Sequence, residues 1–359
     1  MTRIIHVASG REWRGGQNQV FLLARRLAAQ QVPQIVVTGR NTLLSRRLAK
    51  AGIAVRDCRW DMGLDPRAAF AAWDEARKAP SLLHAHDAHA LTLASLAAQW
   101  AHRPYVVTRR VDFHLRHPGR WRGAARVIAI SRAVRDILRA DGIAAERLRV
   151  VHSGIDLADI RGRGAAPDPR AKLGLPLDRP LLLNVAALAD HKDQLTLIEA
   201  AAALRLRRPD ALWAIAGEGP ERSLLEARIA ALGLADTVRL LGQVADPMPL
   251  IKCATLFVMS SKEEGLGTTV LDAMALGTPI LATRAGGIPE MLDGGNGTLV
   301  PIQDPSALAR AAEGLLADRA RAQLQAAAAL RAVDAFSDEA MARGVRSVYD
   351  EVTQEVGAL

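Results

Sequence analysis

The chain has 359 residues (38.5 kDa), half of them apolar, with a mean hydropathy near zero; that is an ordinary globular composition, too long for one core, so two domains are expected. Two distant cysteines, Cys58 and Cys253, exclude a disulfide framework or a cysteine-spaced zinc site and read as small core residues. No run of about 18 apolar residues and no basic start with an apolar core behind it occurs, so the expected location is the cytoplasm, without a membrane span.

An apolar strand over residues 3–8 leads through a glycine-containing turn into a helix whose apolar residues recur at three- and four-residue spacing. Strand, glycine turn and helix begin a parallel α/β domain. The pattern continues with strands expected over 34–38, 53–57, 81–86, 105–108, 125–130 and 148–152, and helices over 43–51, 67–78 and 88–100. Such alternation predicts a doubly wound sheet that takes ligands at the carboxyl ends of its strands. Gly15 and Gly16 sit in the first of these turns, and His86 ends the strand 81–86, either as a core or capping histidine or as a ligand contact.

The formal net charge of +9 is unevenly spread. Residues 1–160 carry 26 Lys and Arg against 13 Asp and Glu, a charge of +13; the remainder has 21 against 25, a charge of −4. The excess clusters at 102–126, where seven arginines face Asp112 alone and Tyr105, Phe113 and Trp121 are interleaved. A surface of this kind attracts anionic lipid headgroups, a phosphorylated acceptor or nucleic acid, unless it is simply solvated.

Residues 157–179 are rich in Gly, Pro and charge and read as an interdomain linker. A second alternation follows, with strands over 181–187, 211–216 and 238–241 and helices over 193–208 and 221–232. Domains are therefore expected at 1–160 and 161–336, their sheets facing each other across a cleft. The mixed-charge amphipathic helix 337–357, capped by Ser337, is expected to pack back on the first domain. Neither half carries the G-x-G-x-x-G dinucleotide fingerprint.

The densest chemistry lies at 257–290. A short strand (257–259) runs into a turn with Glu263 and Glu264 before Gly265-Leu266-Gly267, then a helix from about Thr268 that carries Asp272 one turn in, then a strand over 279–282. Glycines let the backbone approach a ligand, and the free N–H groups at a helix start favour phosphate by about 0.3–1 kcal/mol of dipole energy. Phosphate beside carboxylates that hold hydroxyls is the requirement of a nucleotide-sugar site.

Six phrases in order, HSGID (152–156), VAALADHKDQLTLIEAAAAL (185–204), AGEGPER (216–222), VRLLGQV (238–244), SSKEEGLGTTVLDAMALGTPILAT (260–283) and GGIPEMLDGGNGTLV (286–300), resemble the retaining GT-B glycosyltransferases of family 4. The resemblance covers about the whole chain and is closest over 150–316. It implies a GT-B fold, two Rossmann-like doubly wound α/β domains, with Glu264 holding donor-sugar hydroxyls and the backbone of Gly265, Leu266, Gly267 and Thr268 cradling the diphosphate. In the family's glutamate, seven residues, glutamate pattern the second position is Asp272, which would bind the ribose hydroxyls with one methylene less reach. Lys192 matches the lysine that neutralises the diphosphate. Its usual arginine partner is absent from Ala186-Ala187-Leu188, so His191, an arginine of the facing domain or backbone donors would take that part. Gly15 and Gly16 match the family's glycine pair, and Arg110 stands where a histidine near the donor sugar is common, suited to a phosphate or an acidic sugar group.

The resemblance further implies transfer with retention from a nucleotide-diphosphate sugar, without a metal or other cofactor. The basic first half suits a glycan or lipid-linked acceptor, as in lipopolysaccharide or other envelope polysaccharide synthesis, with peripheral attachment to the anionic inner face of the cell membrane. A nucleotide-sugar epimerase of the same architecture is the rival enzyme. A nucleic-acid binder using the arginine cluster is not expected, because it would leave the donor turn without a purpose.

Overall fold

The computed structural model describes residues 2–60 and 64–357. The chain divides into two compact units, one running to Ile155 and resuming at Ser337, the other Asp156–Phe336. In the first, β1 (Arg3–Ala8), β2 (Gln34–Gly39), β3 (Val55–Cys58), β4 (Ser81–Ala85), β5 (Tyr105–Arg109), β6 (Arg126–Ala129) and β7 (Leu148–Val150) form a parallel sheet in the order β3-β2-β1-β4-β5-β6-β7. Its crossovers hold α1 (Gly15–Ala29), α2 (Leu43–Lys50), α3 (Pro66–Ala76), α4 (Ala88–Ala101), α5 (Gly119–Arg122) and α6 (Arg132–Ala140). Parallel strands must be covered on both faces, which is why β1 and β4 read as nearly unbroken apolar runs.

The second unit begins with α7 (Leu157–Gly164). It continues through β8 (Leu181–Val185), α8 (Gln194–Arg205), β9 (Leu212–Ala216), α9 (Arg222–Ala231), β10 (Val238–Gly242), α10 (Met248–Cys253) and β11 (Leu256–Met259). Then come α11 (Thr268–Leu276), β12 (Ile280–Thr283), α12 (Ile288–Leu292), β13 (Thr298–Val300), α13 (Pro305–Ala317) and α14 (Arg319–Ala332). Its parallel sheet has the order β10-β9-β8-β11-β12-β13, and Trp213 and Phe257 are among its fully buried side chains. The strand order reverses between β1 and β4 in one unit and between β8 and β11 in the other. Crevices at such reversals, outside the carboxyl ends of the strands, are where doubly wound sheets bind ligands.

The expected linker is a correction: residues Leu157–Gly164 are helical and packed. The Asp156 side chain caps α7 by accepting from the Asp159 amide, Ile160 is buried, and a Cβ on Gly164 would lie 2.2 Å from Leu276 on α11. The glycine that suggested flexibility is there for close helix packing. The alternation pattern also passes over α6, which buries only Val134 and Leu138 and is announced chiefly by its Ser131 cap.

The last helix, α15 (Asp338–Gly357), belongs to the first unit. Met341, Val345, Val348, Tyr349 and Val352 fall on one face and join a core with Ile4, Leu23, Leu82, Val106 and Ile128. Each such buried side chain stabilises by about 1.5–3 kcal/mol before entropy is counted. At its start the fully buried Asp338 accepts from Arg25 at 2.7 Å and Arg26 at 2.8 Å, both on α1.

Candidate functional site

At the reversal point of the second sheet, the loops after β8 and β11 are tied together. The amides of Lys262 and Glu263 donate to the carbonyl of His191 at 3.0 and 3.3 Å, and Ser260 Oγ donates to the carbonyl of Lys192 at 3.0 Å. This brings Lys192 and Glu264, 72 positions apart, into a direct ion pair through Nζ and Oε2, with both side chains largely buried. The carbonyl of Glu264 accepts from the Gly287 amide at 3.1 Å, fixing the turn from its other side. Glu263 points to solvent. Of the two adjacent carboxylates, geometry thus selects Glu264.

Two backbone features set these side chains. Asp193 adopts a left-handed conformation (φ 48°), strained for a residue with a Cβ, and caps α8 through bonds from the Thr196 amide and hydroxyl. The chain is thereby turned sharply after Lys192. Gly267 has φ 90°, and a Cβ there would lie 3.3 Å from both Glu264 Cγ and Ile288 Cγ1. It starts α11 without a side-chain cap, so the first-turn amides are left open beside Glu264, the partner of Lys192. Gly265, Leu266 and Gly267 are buried, with Thr268 partly exposed at the helix start.

Asp272, one turn into α11, makes no hydrogen bond or ion pair among the described residues. Burial pushes its carboxyl up to about 7, with Arg163 opposing and Asp159 reinforcing the shift. Arg163 is already held by Asp246 at 2.6 Å and Asp159 at 3.1 Å. A half-buried carboxyl with no donor among the described residues is suited to accepting bonds from hydroxyls.

The phrase Ala186-Ala187-Leu188 has a structural role that its residue types do not suggest. Gly217 and Gly219 bring their loop into backbone contact with it: a Cβ at either glycine would lie 1.9 Å from the carbonyl oxygen of Ala186 or 2.2 Å from that of Leu188. The Leu188 amide donates to the carbonyl of Glu218 at 3.0 Å. The glycines of AGEG were the available signal for this approach.

In the first unit, the loop after β1 is clasped to the start of α4. Asp87 accepts from the Ser9 amide at 2.9 Å and the Ser9 hydroxyl at 2.5 Å, and caps α4 through the Ala90 amide at 2.8 Å. Gly16 opens α1, and its position would place a Cβ 3.9 Å from Arg110 Cδ; a Cβ at Gly15 would meet nothing within 4 Å. Neither packing nor a positive φ requires glycine at these two positions.

Arg110, just beyond β5, forms no ion pair among the described residues, and its Nε is buried without a partner. Burial lowers its guanidinium to about 10, the Asp87 charge acting in the other direction. An arginine left without a counter-ion beside a helix start is a place for an anion.

His86 lies in a chain of imidazoles that the sequence pattern shows only in part. Its Nε2 is 2.9 Å from His6 Nδ1, His6 Nε2 reaches Gln34 Oε1 at 3.2 Å, and His84 lies between the Tyr349 and Thr108 hydroxyls at 2.5 and 2.7 Å. Burial lowers all three imidazoles, that of His6 to about 4, so they are neutral at pH 7. His86 Nδ1 is buried without a partner. The ring nitrogens lie within 4.8 Å of one another, and this is the one group among the described residues that could hold a metal ion by geometry. The signal for its remote member was the parallel register that sets His6 beside His84.

Residues 13–159 match the family described as Glycosyltransferase Family 4, and residues 166–331 match the one described as Glycosyl transferases group 1. The putative glycosyltransferase EpsD of Bacillus subtilis is 33% identical over 255 residues, 65% of this chain and 67% of that protein. The chain belongs to the group 1, family 4 glycosyltransferases. Within this glycosyltransferase family, the lipopolysaccharide core biosynthesis glycosyltransferase LpsE of Rhizobium meliloti is 38% identical over 183 residues, 50% of this chain. The chain spans about half the length of LpsE and of several other curated relatives that it matches. Among solved structures, Anabaena HepE in complex with UDP superposes with a TM-score of 0.84 at 21% identity, over 98% of this chain and 100% of that one. At that identity the likeness shows the fold, the GT-B pair of Rossmann-like domains.

Proposed function

We propose that this glycosyltransferase moves a sugar, with retention, from a nucleotide-diphosphate sugar to a glycan or lipid-linked acceptor of envelope polysaccharide synthesis. The observation that carries the proposal is the Lys192–Glu264 pair at the reversal point of the second sheet, beside the open start of α11. Without ligand the two charges neutralise each other. A bound diphosphate draws the ammonium and the α11 amides to itself, which frees Glu264 to accept from sugar hydroxyls and leaves Asp272 to the ribose. Positive charge fixed on the leaving diphosphate stabilises the transition state more than the ground state.

Among the described residues of this turn, Glu263 points to solvent and Glu264 is engaged by Lys192 and the hydroxyls, so neither is placed as a nucleophile. Attack therefore proceeds on the face that the diphosphate leaves: the acceptor oxygen bonds to the anomeric carbon as the carbon–phosphate-oxygen bond breaks, and the diphosphate takes the acceptor proton. This scheme asks for no divalent ion, so added chelator leaves the rate unchanged. In the first unit, Gly15, Gly16, His86 and Arg110 hold an anionic part of the substrates. The role of LpsE in lipopolysaccharide core synthesis supports the acceptor class, and the UDP complex of HepE supports a nucleotide donor. The +13 charge of residues 1–160 favours peripheral attachment to an anionic membrane face.

Release of nucleoside diphosphate is the test, measured with a panel of nucleotide sugars in the presence and absence of lipid-linked glycan acceptors. Release that requires acceptor and falls at least a hundredfold in Glu264→Ala supports transfer. Conversion of the donor sugar without any acceptor would establish an epimerase instead.

A further inference from the structure

The cluster at 102–126 is not uniformly a charged surface. Arg126 is committed to Glu351 at 2.8 Å and to Glu355 on α15, Arg122 to the carbonyls of Asp141 and Gly142, and Arg103 to the carbonyl of Ala76. Arg109, Arg116 and Arg120 line a cavity of about 740 Å³ at the carboxyl ends of β4 and β5, under the segment 113–121. That volume lies in the ~300–1,000 Å³ range of small-molecule sites.

Part of the lining is apolar: Leu64, Leu91, Phe113 and Trp121. Phe113 and Leu64 are more than half exposed, so they offer apolar surface to a ligand there. The same lining carries Arg109, Arg116 and Arg120 together with three histidines, and no Asp or Glu lines it among the described residues. Arg116 and Arg120 form no ion pair there. Arg109 links the cationic and apolar residues: it is nine-tenths buried, its guanidinium lies 5.5 Å from the ring centroids of both Phe113 and Trp121, and its Nε is buried without a partner. The segment is preformed, since Asp141 holds the His114 ring at 2.6 Å and the Leu115 amide at 2.7 Å, while Arg109 donates to the Phe113 carbonyl at 2.5 Å.

We infer that this cavity takes the lipid-phosphate part of an amphiphilic acceptor, the hydrocarbon against Phe113, Leu64 and Trp121 and the phosphate against Arg116, Arg120 and Arg109. The inference rests on the reading that the first unit binds the acceptor, and narrows that acceptor to a phosphorylated lipid. A neutral glycan would leave Arg116 and Arg120 without an anion and an aromatic ring exposed; a bare phosphate would leave the apolar lining in water. Only a ligand with both parts matches both kinds of lining residue.

The test uses the full chain, calorimetric titration and four probes: octyl phosphate, octyl glucoside, inorganic phosphate and vesicles of anionic diacyl lipid. Octyl phosphate is expected to bind at least tenfold tighter than octyl glucoside or inorganic phosphate, and to lose tenfold or more both in Phe113→Ala and in the Arg116→Ala/Arg120→Ala double variant. Stabilisation of the same variants by nucleotide sugar should match that of the starting protein, which separates failure of this site from failure of the donor site. Octyl phosphate binding no tighter than inorganic phosphate, or equally tight in the variants, overturns the inference. So does binding confined to vesicles, which would assign the arginines to a membrane surface.

Discussion

Asp272 shows how a single side chain ties binding to stability. Its carboxyl, ordinarily near 3.8, is raised to about 7 by burial. An acid whose folded pKa exceeds its unfolded value holds its proton more tightly in the folded chain, so its contribution to stability is intact below about pH 4 and is lost as pH rises through about 7. Asp272→Asn removes that loss. The variant should melt above the parent protein at pH 8, with the gap closing toward pH 4, while the parent's affinity for nucleotide sugar rises through pH 7 and the variant's stays low and flat. A gap of equal size at both pH values would show that the carboxyl does not titrate there. Destabilisation at a site where ligand hydroxyls are the missing donors is what a binding carboxylate is expected to cost. At the same scale, the departures from the family pattern have physical counterparts. Arg110 is a half-buried charge with no ion pair among the described residues, and the alanines that replace the family arginine sit against the Gly217–Gly219 loop.

Among the elements, α15 is the one whose loss would reach furthest, because it returns from the end of the chain to cover the first sheet. Asp338 pins its start to α1, and Asp338→Asn leaves Arg25 and Arg26 facing a neutral group. The change should cost about 2–3 kcal/mol, at the low end for a broken buried pair because both guanidiniums are partly exposed. Urea unfolding at pH 7 measures it, and a loss below about 0.5 kcal/mol would contradict the role given to this contact. The strands and most helices were legible because both sheets are parallel and buried, so that each strand is an apolar run and each crossover an amphipathic repeat. Gly265-Leu266-Gly267 and Glu264 were legible for a related reason, since strand, turn and helix start are contiguous in the chain. What escaped the sequence depends on contacts between distant segments. Gly164 reads as a linker residue until Leu276 is seen against it, and His6 reads as a strand residue until the register sets it beside His84. The lining of the cavity under 113–121 comes from three separate segments, and the charge count alone could not tell Arg116 and Arg120 from the paired Arg126.

Across the whole molecule, chemistry and charge are divided between residues 1–160 and 161–359, the second range including α15 of the first unit. The half with a charge of −4 holds the Lys192–Glu264 pair and the start of α11, where local positive potential comes from one lysine and a helix terminus rather than from net charge. The half with a charge of +13 holds Arg110 and the lipid-phosphate cavity. Each unit repeats the same construction, a parallel sheet whose strand order reverses at the point where the candidate residues gather. A nucleotide-sugar site built on Lys192 and Glu264 at the second unit's reversal point is tested by a thermal-shift titration with UDP-, GDP- and ADP-sugars on the parent protein, Glu264→Ala and Lys192→Ala. One of these donors should raise the melting temperature of the parent by several degrees, as about 2.7 kcal/mol of linkage at a hundred times Kd requires, and both variants should lose most of the shift. No stabilisation of the parent by any of the three, or an undiminished shift in both variants, would contradict it.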